Sequence, residues 1–279
     1  MDDRRVRQMR EEDLPVVERV SERVFLEPGE QGRPLRIIQA WIEWARHLLT
    51  VDPAGCWVSV GAGGINGFAF SQNRGGFWYL TTYGVLPEAR GTGIGRQLLD
   101  AVLAHAGDRP GMFNSTTHPG ATRVYRQARF SLLPEMQMVG TVDRSTIPVI
   151  KGINDGDEND FDWMNELDTS LRGAGHGPDH TFLLNSQRLV VAGRRGYAYI
   201  DHHNRATLLA ATDPATAQDL LWEALASSSG DTLVDFITSA NDWAIDVGLT
   251  ARLNLATEGY LAVRGMPAPA PYLPGGRFL

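Results

Sequence analysis

The 279-residue chain has one cysteine, no long apolar run and no excess of positive charge. A single thiol excludes an intrachain disulfide and a thiolate metal cluster. Cys56 lies in the strand-like "CWVSV" without a cationic neighbour to lower its pKa, and reads as a small core residue rather than a nucleophile. No apolar run reaches the roughly 18 residues of a membrane span. The opening "MDDRRVRQMREEDLP" lacks the apolar segment of a signal peptide. The expectation is a cytoplasmic protein with no membrane partner. A formal net charge of −7 argues against nucleic acid, whose binding needs a basic face to displace counterions. It leaves room for a cationic small molecule or peptide.

What is present suits a folded protein of two ordinary domains: 43% apolar and 21% charged residues. The first half alternates strands and helices. In "EEDLPVVERVSERVF", Leu14, Val17, Val20 and Val24 form a helical stripe. A second helix follows Pro34, with Leu35, Ile38, Trp41, Ile42 and Leu48 or Leu49 on its apolar side. "CWVSV", "INGFAF" and "GFWYLTTYGV" read as strands joined by glycine turns. "GMFNSTT", "GATRVYRQA" and "FSLLPEMQMVGTV" then read as strand, helix and strand. The polar stretch 143–152 reads as a linker. Beyond it the order of strands and helices repeats, which predicts an internal duplication with domains at 1–142 and 153–279.

Between the third strand and an amphipathic helix lies "VLPEARGTGIGRQLL", residues 85–99. Its glycines give G-x-G-x-G, so the dinucleotide fingerprint G-x-G-x-x-G fails on spacing. The Gly-Lys-Ser/Thr of a phosphate-binding nucleotide loop is absent. The physics of the turn survives both failures. A helix N-terminus offers unpaired N–H donors and positive potential, and glycines let an anion approach the backbone.

The pattern Val85-x-Pro87-x-x-Arg90-Gly91-x-Gly93-Ile94-Gly95 resembles the acetyl-CoA signature of the GNAT N-acetyltransferase superfamily. A second family motif is similar to "HPGATRVYRQARF": Ala121, Tyr125 and Phe130 are in register, while His118 and Arg129 replace an asparagine and a glycine. The resemblance implies a mixed-sheet α/β fold, here as two tandem GNAT-like domains with the second degenerate. It implies acetyl-CoA as cosubstrate, its diphosphate held by Arg90, Gly91, Thr92, Gly93, Ile94, Gly95 and Arg96. Thr82, Tyr83, Gly84, Val85 and Leu86 would run beside the pantetheine arm, with a backbone N–H near Val85 facing the oxyanion. Tyr125 would be the general acid. Phe25, Glu27, Trp41 and Trp44 would frame an amine acceptor, with Glu30 nearby. The implied protein is a bacterial N-acetyltransferase, monomer or homodimer, acting by direct attack. A CoA-binding sensor or scaffold without turnover is the alternative.

Two further groupings are read as structural, so no metal is expected. "DGDENDFDWMNE" has Asp160 where a calcium loop needs glycine, and suits helix capping. His176, His180, His202 and His203 are assigned to packing or surface, adjacent strand residues facing opposite ways. In the second half the equivalent turn, "ATDPATAQDLL", has Asp213 at the helix cap and no glycine, so one CoA per chain is expected.

Overall fold

The structure is a computed structural model that describes residues 5–26 and 31–279. Two compact units divide it: residues 1–73 with 78–109, and residues 74–77 with 110–279. Its elements fulfil the mixed α/β class expected from the sequence.

The first unit contains β1 (Arg5–Gln8), α1 (Leu14–Phe25), α2 (Leu35–Val51), β2 (Cys56–Gly61), β3 (Gly64–Arg74), β4 (Phe77–Val85) and α3 (Ile94–Ala106). Its strands stand in sequence order, β1 antiparallel to β2 and β2 to β3. Sequential order follows from the tight glycine-bearing connections between β2, β3 and β4. The stripe of α1 buries Leu14, Val17 and Val20, and α3 buries Ile94, Leu98, Leu99, Val102 and Ala106. Each large apolar side chain so buried contributes roughly 1.5–3 kcal/mol. On α2 the buried stripe is Trp41, Trp44, Ala45 and Leu48. Leu35, expected on that stripe, is 77% exposed because it opens the helix before the stripe begins. Cys56 is buried, as its strand position predicts.

The second unit contains β5 (Gly111–Ser115), α4 (Pro119–Gln127), β6 (Ser131–Thr141), β7 (Asn154–Asp155), α5 (Phe161–Arg172), α6 (Pro178–Leu184), β8 (Arg188–Val191) and β9 (Gly196–Ile200). It continues with β10 (Ala206–Ala211), α7 (Pro214–Ser227), β11 (Asp231–Ile237), α8 (Trp243–Thr250), β12 (Asn254–Arg264) and β13 (Tyr272–Leu273). Strands β7 to β10 with β13 form one sheet in the order β13-β10-β9-β8-β7. The other strands run β5-β12-β6-β11, all antiparallel. The closing strand of the second sequence half is therefore inserted between two strands of the first half.

The stretch 143–152 is packed rather than open. Ile147 and Ile150 lie against the second unit's core, and Arg144 donates to the carbonyls of Ala226 and Ser228. In the acidic segment, Asp157 and Asp160 form a reciprocal capping box and Asp155 pairs with Arg188, the capping use expected of it. His202 and His203 lie in a turn, not on a strand, and their rings are 4.0 Å apart. The strand argument applied to them is thereby corrected: a turn does not alternate its side chains.

Candidate functional site: the glycine turn and the 118–130 segment

The chain leaves β4 at Val85, and Leu86 N–H donates to the Asn66 carbonyl at 2.9 Å. A single 3-10 turn over Pro87–Ala89 follows, closed by Arg90 N–H on the Pro87 carbonyl. Gly91 and Gly93 then take φ of +76° and +87°, a region open to glycine and costly for other residues. A Cβ at either position would meet nothing within 4 Å, so both glycines border open space. Helix α3 starts at Ile94 with Gly93 at its cap and no side chain capping it. Its first turn presents backbone N–H groups and the positive end of the helix dipole to that space.

Gly95 is required for another reason. A Cβ there would sit 2.5 Å from the Tyr83 hydroxyl. Burial, with Asp100 behind it, pushes the Tyr83 phenol up to about 12, so it stays neutral against the helix. The two arginines are engaged locally: Arg90 Nε donates to the Val85 carbonyl at 3.2 Å, and Arg96 Nε to Asp100 at 2.9 Å. Arg90 thus braces the turn to the end of β4. Beside it lies a hollow of about 730 Å³ bordered by Arg19 and Arg23 of α1, Asn66, Leu86, Thr92 and Ile94.

In the second unit, the 118–130 segment explains its two departures from the family motif. His118 caps α4, its Nδ1 accepting from the N–H groups of Gly120 and Ala121 at 3.2 and 3.4 Å. An imidazole nitrogen here does the work an asparagine side chain does at a helix cap. Arg129 takes φ of +67°, the left-handed conformation for which a glycine is the easy choice. Tyr125 is 6% exposed, its ring edge-on to Phe113 at 4.6 Å, and Phe113 meets Phe130 at 4.8 Å.

Residues 14–130 match the model of the acetyltransferase (GNAT) family. The chain carries a GNAT acetyltransferase domain. It is accordingly an acyltransferase. Among solved structures, a Pyrococcus horikoshii protein described as a candidate acetyltransferase matches 100% of this chain and 97% of its own, with TM-score 0.80 and 15% identity. A GCN5-related N-acetyltransferase from Kribbella flavida matches 94% of this chain and 71% of its own, with TM-score 0.63 and 17% identity. One from Sphaerobacter thermophilus matches 95% and 96%, with TM-score 0.57 and 14% identity. At such identities the likeness is one of fold, and it extends beyond the GNAT domain to the rest of the chain. No curated protein is similar enough in sequence to match.

Of the residues expected to frame an acceptor in the GNAT domain, Phe25 is 45% exposed. It lines a hollow of about 390 Å³ with Glu22, Leu26, Gln31, Arg33 and Pro34. Trp41 and Trp44 are instead buried, edge to face at 5.6 Å, with Phe70 at 6.0 and 5.7 Å. They are core residues, the more ordinary use of tryptophans at helical spacing. Glu27 and Glu30 lie outside the described residues.

Three arrangements escape sequence reading because they join distant segments. Ser71 Oγ, His105 and Asp52 form a chain, with Oγ 3.2 Å from His105 Nδ1 and Asp52 3.1 Å from His105 Nε2. Ser71 is fully buried, which bars substrate from its hydroxyl. In the second unit, Asp168 Oδ2 lies 2.7 Å from His176 Nδ1 and 3.3 Å from His180 Nε2. Among the described residues, these three are the grouping whose donor atoms could hold a metal ion. Asp168 Oδ1 also accepts from the Tyr197 hydroxyl at 2.6 Å. Burial, reinforced by Arg172, holds His176 down at about 4, hence neutral. His176, the His180 contact and Arg172 keep Asp168 ionised despite its burial. The third arrangement is a set of carboxylates, Glu135, Asp235 and Glu258, on three adjacent strands.

Proposed function

We propose that this chain transfers an acetyl group from acetyl-CoA to an amine by direct attack. The observation that carries the reading is the open, uncapped glycine turn at the start of α3. Gly91 and Gly93 face free space in a conformation that exposes backbone N–H groups. A diphosphate is the anion that such a turn, from Arg90 to Arg96, accommodates. Residues Thr82 to Leu86 would accompany the pantetheine arm.

Chemically, the amine nitrogen bonds to the thioester carbonyl carbon, and the carbon–sulfur bond then breaks. The ammonium must first lose a proton, the tetrahedral oxyanion needs a donor, and the departing thiolate takes up a proton. In this reading a backbone N–H near Val85 is that donor and Tyr125 the acid. The acceptor enters near Phe25, with Glu27 as its neighbour in sequence; the burial of Trp41 and Trp44 removes them from that role. The duplicated layout, 1–142 and 153–279, leaves a second half that binds no CoA, since Asp213 accepts the Thr216 N–H at 2.9 Å. That carboxylate occupies the place a diphosphate would need. The reading extends to a bacterial cytoplasmic enzyme, monomeric or homodimeric; no helix among the described residues is long and apolar enough to cross a membrane.

An amine panel incubated with acetyl-CoA tests the reading, with free thiol and acetylated product measured together. Equimolar release of CoA and acetyl-amine is expected. Gly93→Glu, which fills the cradle with a side chain and a negative charge, should lose both turnover and calorimetric CoA binding. CoA binding without any acetylated product would favour the sensor reading, and undiminished binding by Gly93→Glu would overturn the cradle.

A further inference from the structure

Three of the carboxylates in the second unit are brought together by two irregularities in one sheet. Opposite Met136 and Pro134 of β6 stand Thr257 and Tyr260 of β12, so Glu258 and Gly259 both oppose Glu135. Opposite Met138 and Met136 stand Val234 and Ile237 of β11, so Asp235 and Phe236 both oppose Gln137. Each is a bulge, with two residues against one. Gly259 is confined there, since a Cβ would meet the Ser115 carbonyl oxygen at 1.9 Å. Glu258 accepts the Phe236 N–H at 3.1 Å, holding a bulky residue at φ +58°.

Strand alternation sorts the side chains. Met136 and Met138 pack with Val234 and Ile237 in the core, which turns Glu135 and Gln137 to the opposite face. On that face the register aligns Asn114 of β5 with Leu261 and Leu133, one step along from Glu135. Asp235 and Glu258 are half-buried, whereas Glu135 is 2% exposed and neither of its carboxyl oxygens has a hydrogen-bond partner. The amide of Asn114 is likewise without a partner. A buried carboxyl that satisfies nothing in its own chain calls for a donor from outside it. The charged groups that act on this set are few. Glu135 feels Glu258 and Asp235, and Asp235 also feels Arg205 and Asp201, which pair with each other at 2.8 Å.

We infer that the face formed by Glu135, Asp235 and Glu258 binds an aliphatic amine carrying at least two positive charges. The inference rests on these carboxylates and their geometry, and goes beyond the acetyl-transfer reading above. Each ammonium offers three N–H donors and no acceptor, the complement of oxygen-only partners. Once bound, a dication drives the buried carboxyl to ionise, so that carboxylates meet both of its charges. Burial and the two neighbouring carboxylates push Glu135 up to about 9, and burial with Glu258 pushes Asp235 up to about 7. Binding near neutrality should therefore release protons.

Calorimetry with 1,4-diaminobutane, in two buffers of different ionisation enthalpy, tests the site. Binding with release of about one proton is expected at pH 7. Glu135→Gln and Asp235→Asn should each weaken it tenfold or more while leaving CoA affinity unchanged. Glu135→Gln is expected to fold, since it replaces a carboxyl that is already neutral. No diamine binding, binding equal in both variants, or binding of magnesium or calcium in place of the diamine would overturn the site. Diamine binding with proton release but no turnover on any amine would refute acetyl transfer and leave the site standing.

Discussion

Glu135→Gln makes a stability prediction that needs no ligand. An ordinary glutamate titrates near 4.5, and in the folded protein burial, Glu258 and Asp235 push Glu135 up to about 9. Below pH 4.5 the carboxyl is protonated in both folded and unfolded chains, and its burial costs nothing in charge. Between 4.5 and 9 the unfolded chain releases a proton that the folded chain keeps, so stability falls as pH rises. Above 9 both forms are ionised and the loss is complete. Each tenfold difference in acidity is worth 1.36 kcal/mol, so the loss at pH 7 is on the order of 3 kcal/mol. Asp235 and Glu258, raised for similar reasons, add losses of the same sign. A glutamine of nearly the same shape cannot ionise. Urea titrations at half-unit steps from pH 5 to 8, followed by circular dichroism, should give a variant that gains on the parent as pH rises. The gain should approach about 1.4 kcal/mol per pH unit for the one proton involved. A constant offset between the two curves would show that Glu135 is ionised in the folded protein, and would refute the reasoning.

Three other outcomes are expected. Tyr125→Phe should lower turnover by roughly 100-fold or more, the scale of general-acid catalysis, with CoA affinity nearly unchanged; wild-type turnover would reduce Tyr125 to the partner of Phe113. Arg129→Gly should raise the urea midpoint by an amount worth on the order of 1 kcal/mol, because a glycine relieves the left-handed strain at φ +67°; a lower midpoint would mean that the arginine side chain stabilises more than its backbone costs. Titration with CoA should give one site per chain, and Asp213→Ala should not create a second, since Pro214 and the lack of glycine remain; two sites in the parent would contradict the reading of residues 211–217.

Local features were legible in the chain itself. The glycine turn, the helix after it and the Asp213 cap depend on residues a few positions apart, whose φ preferences and hydrogen bonds act within one turn. The stripes of α1 and α3 follow from the same short-range periodicity. His118 and Arg129 read as departures, and the structure supplies their physics: a cap made through Nδ1 and a left-handed residue that is not glycine. Other decisions were tertiary. The burial of Trp41 and Trp44 depended on Phe70 arriving from β3. His176 and His180 meet Asp168 because α6, unforeseen in the sequence, folds back on α5. Above all, β12 pairs between β5 and β6, and only that strand order sets Glu258 opposite Glu135. Sheet pairing joins residues more than a hundred positions apart, and a bulge shifts which face a side chain takes. No local preference encodes either choice; both are made when the whole sheet closes over its core.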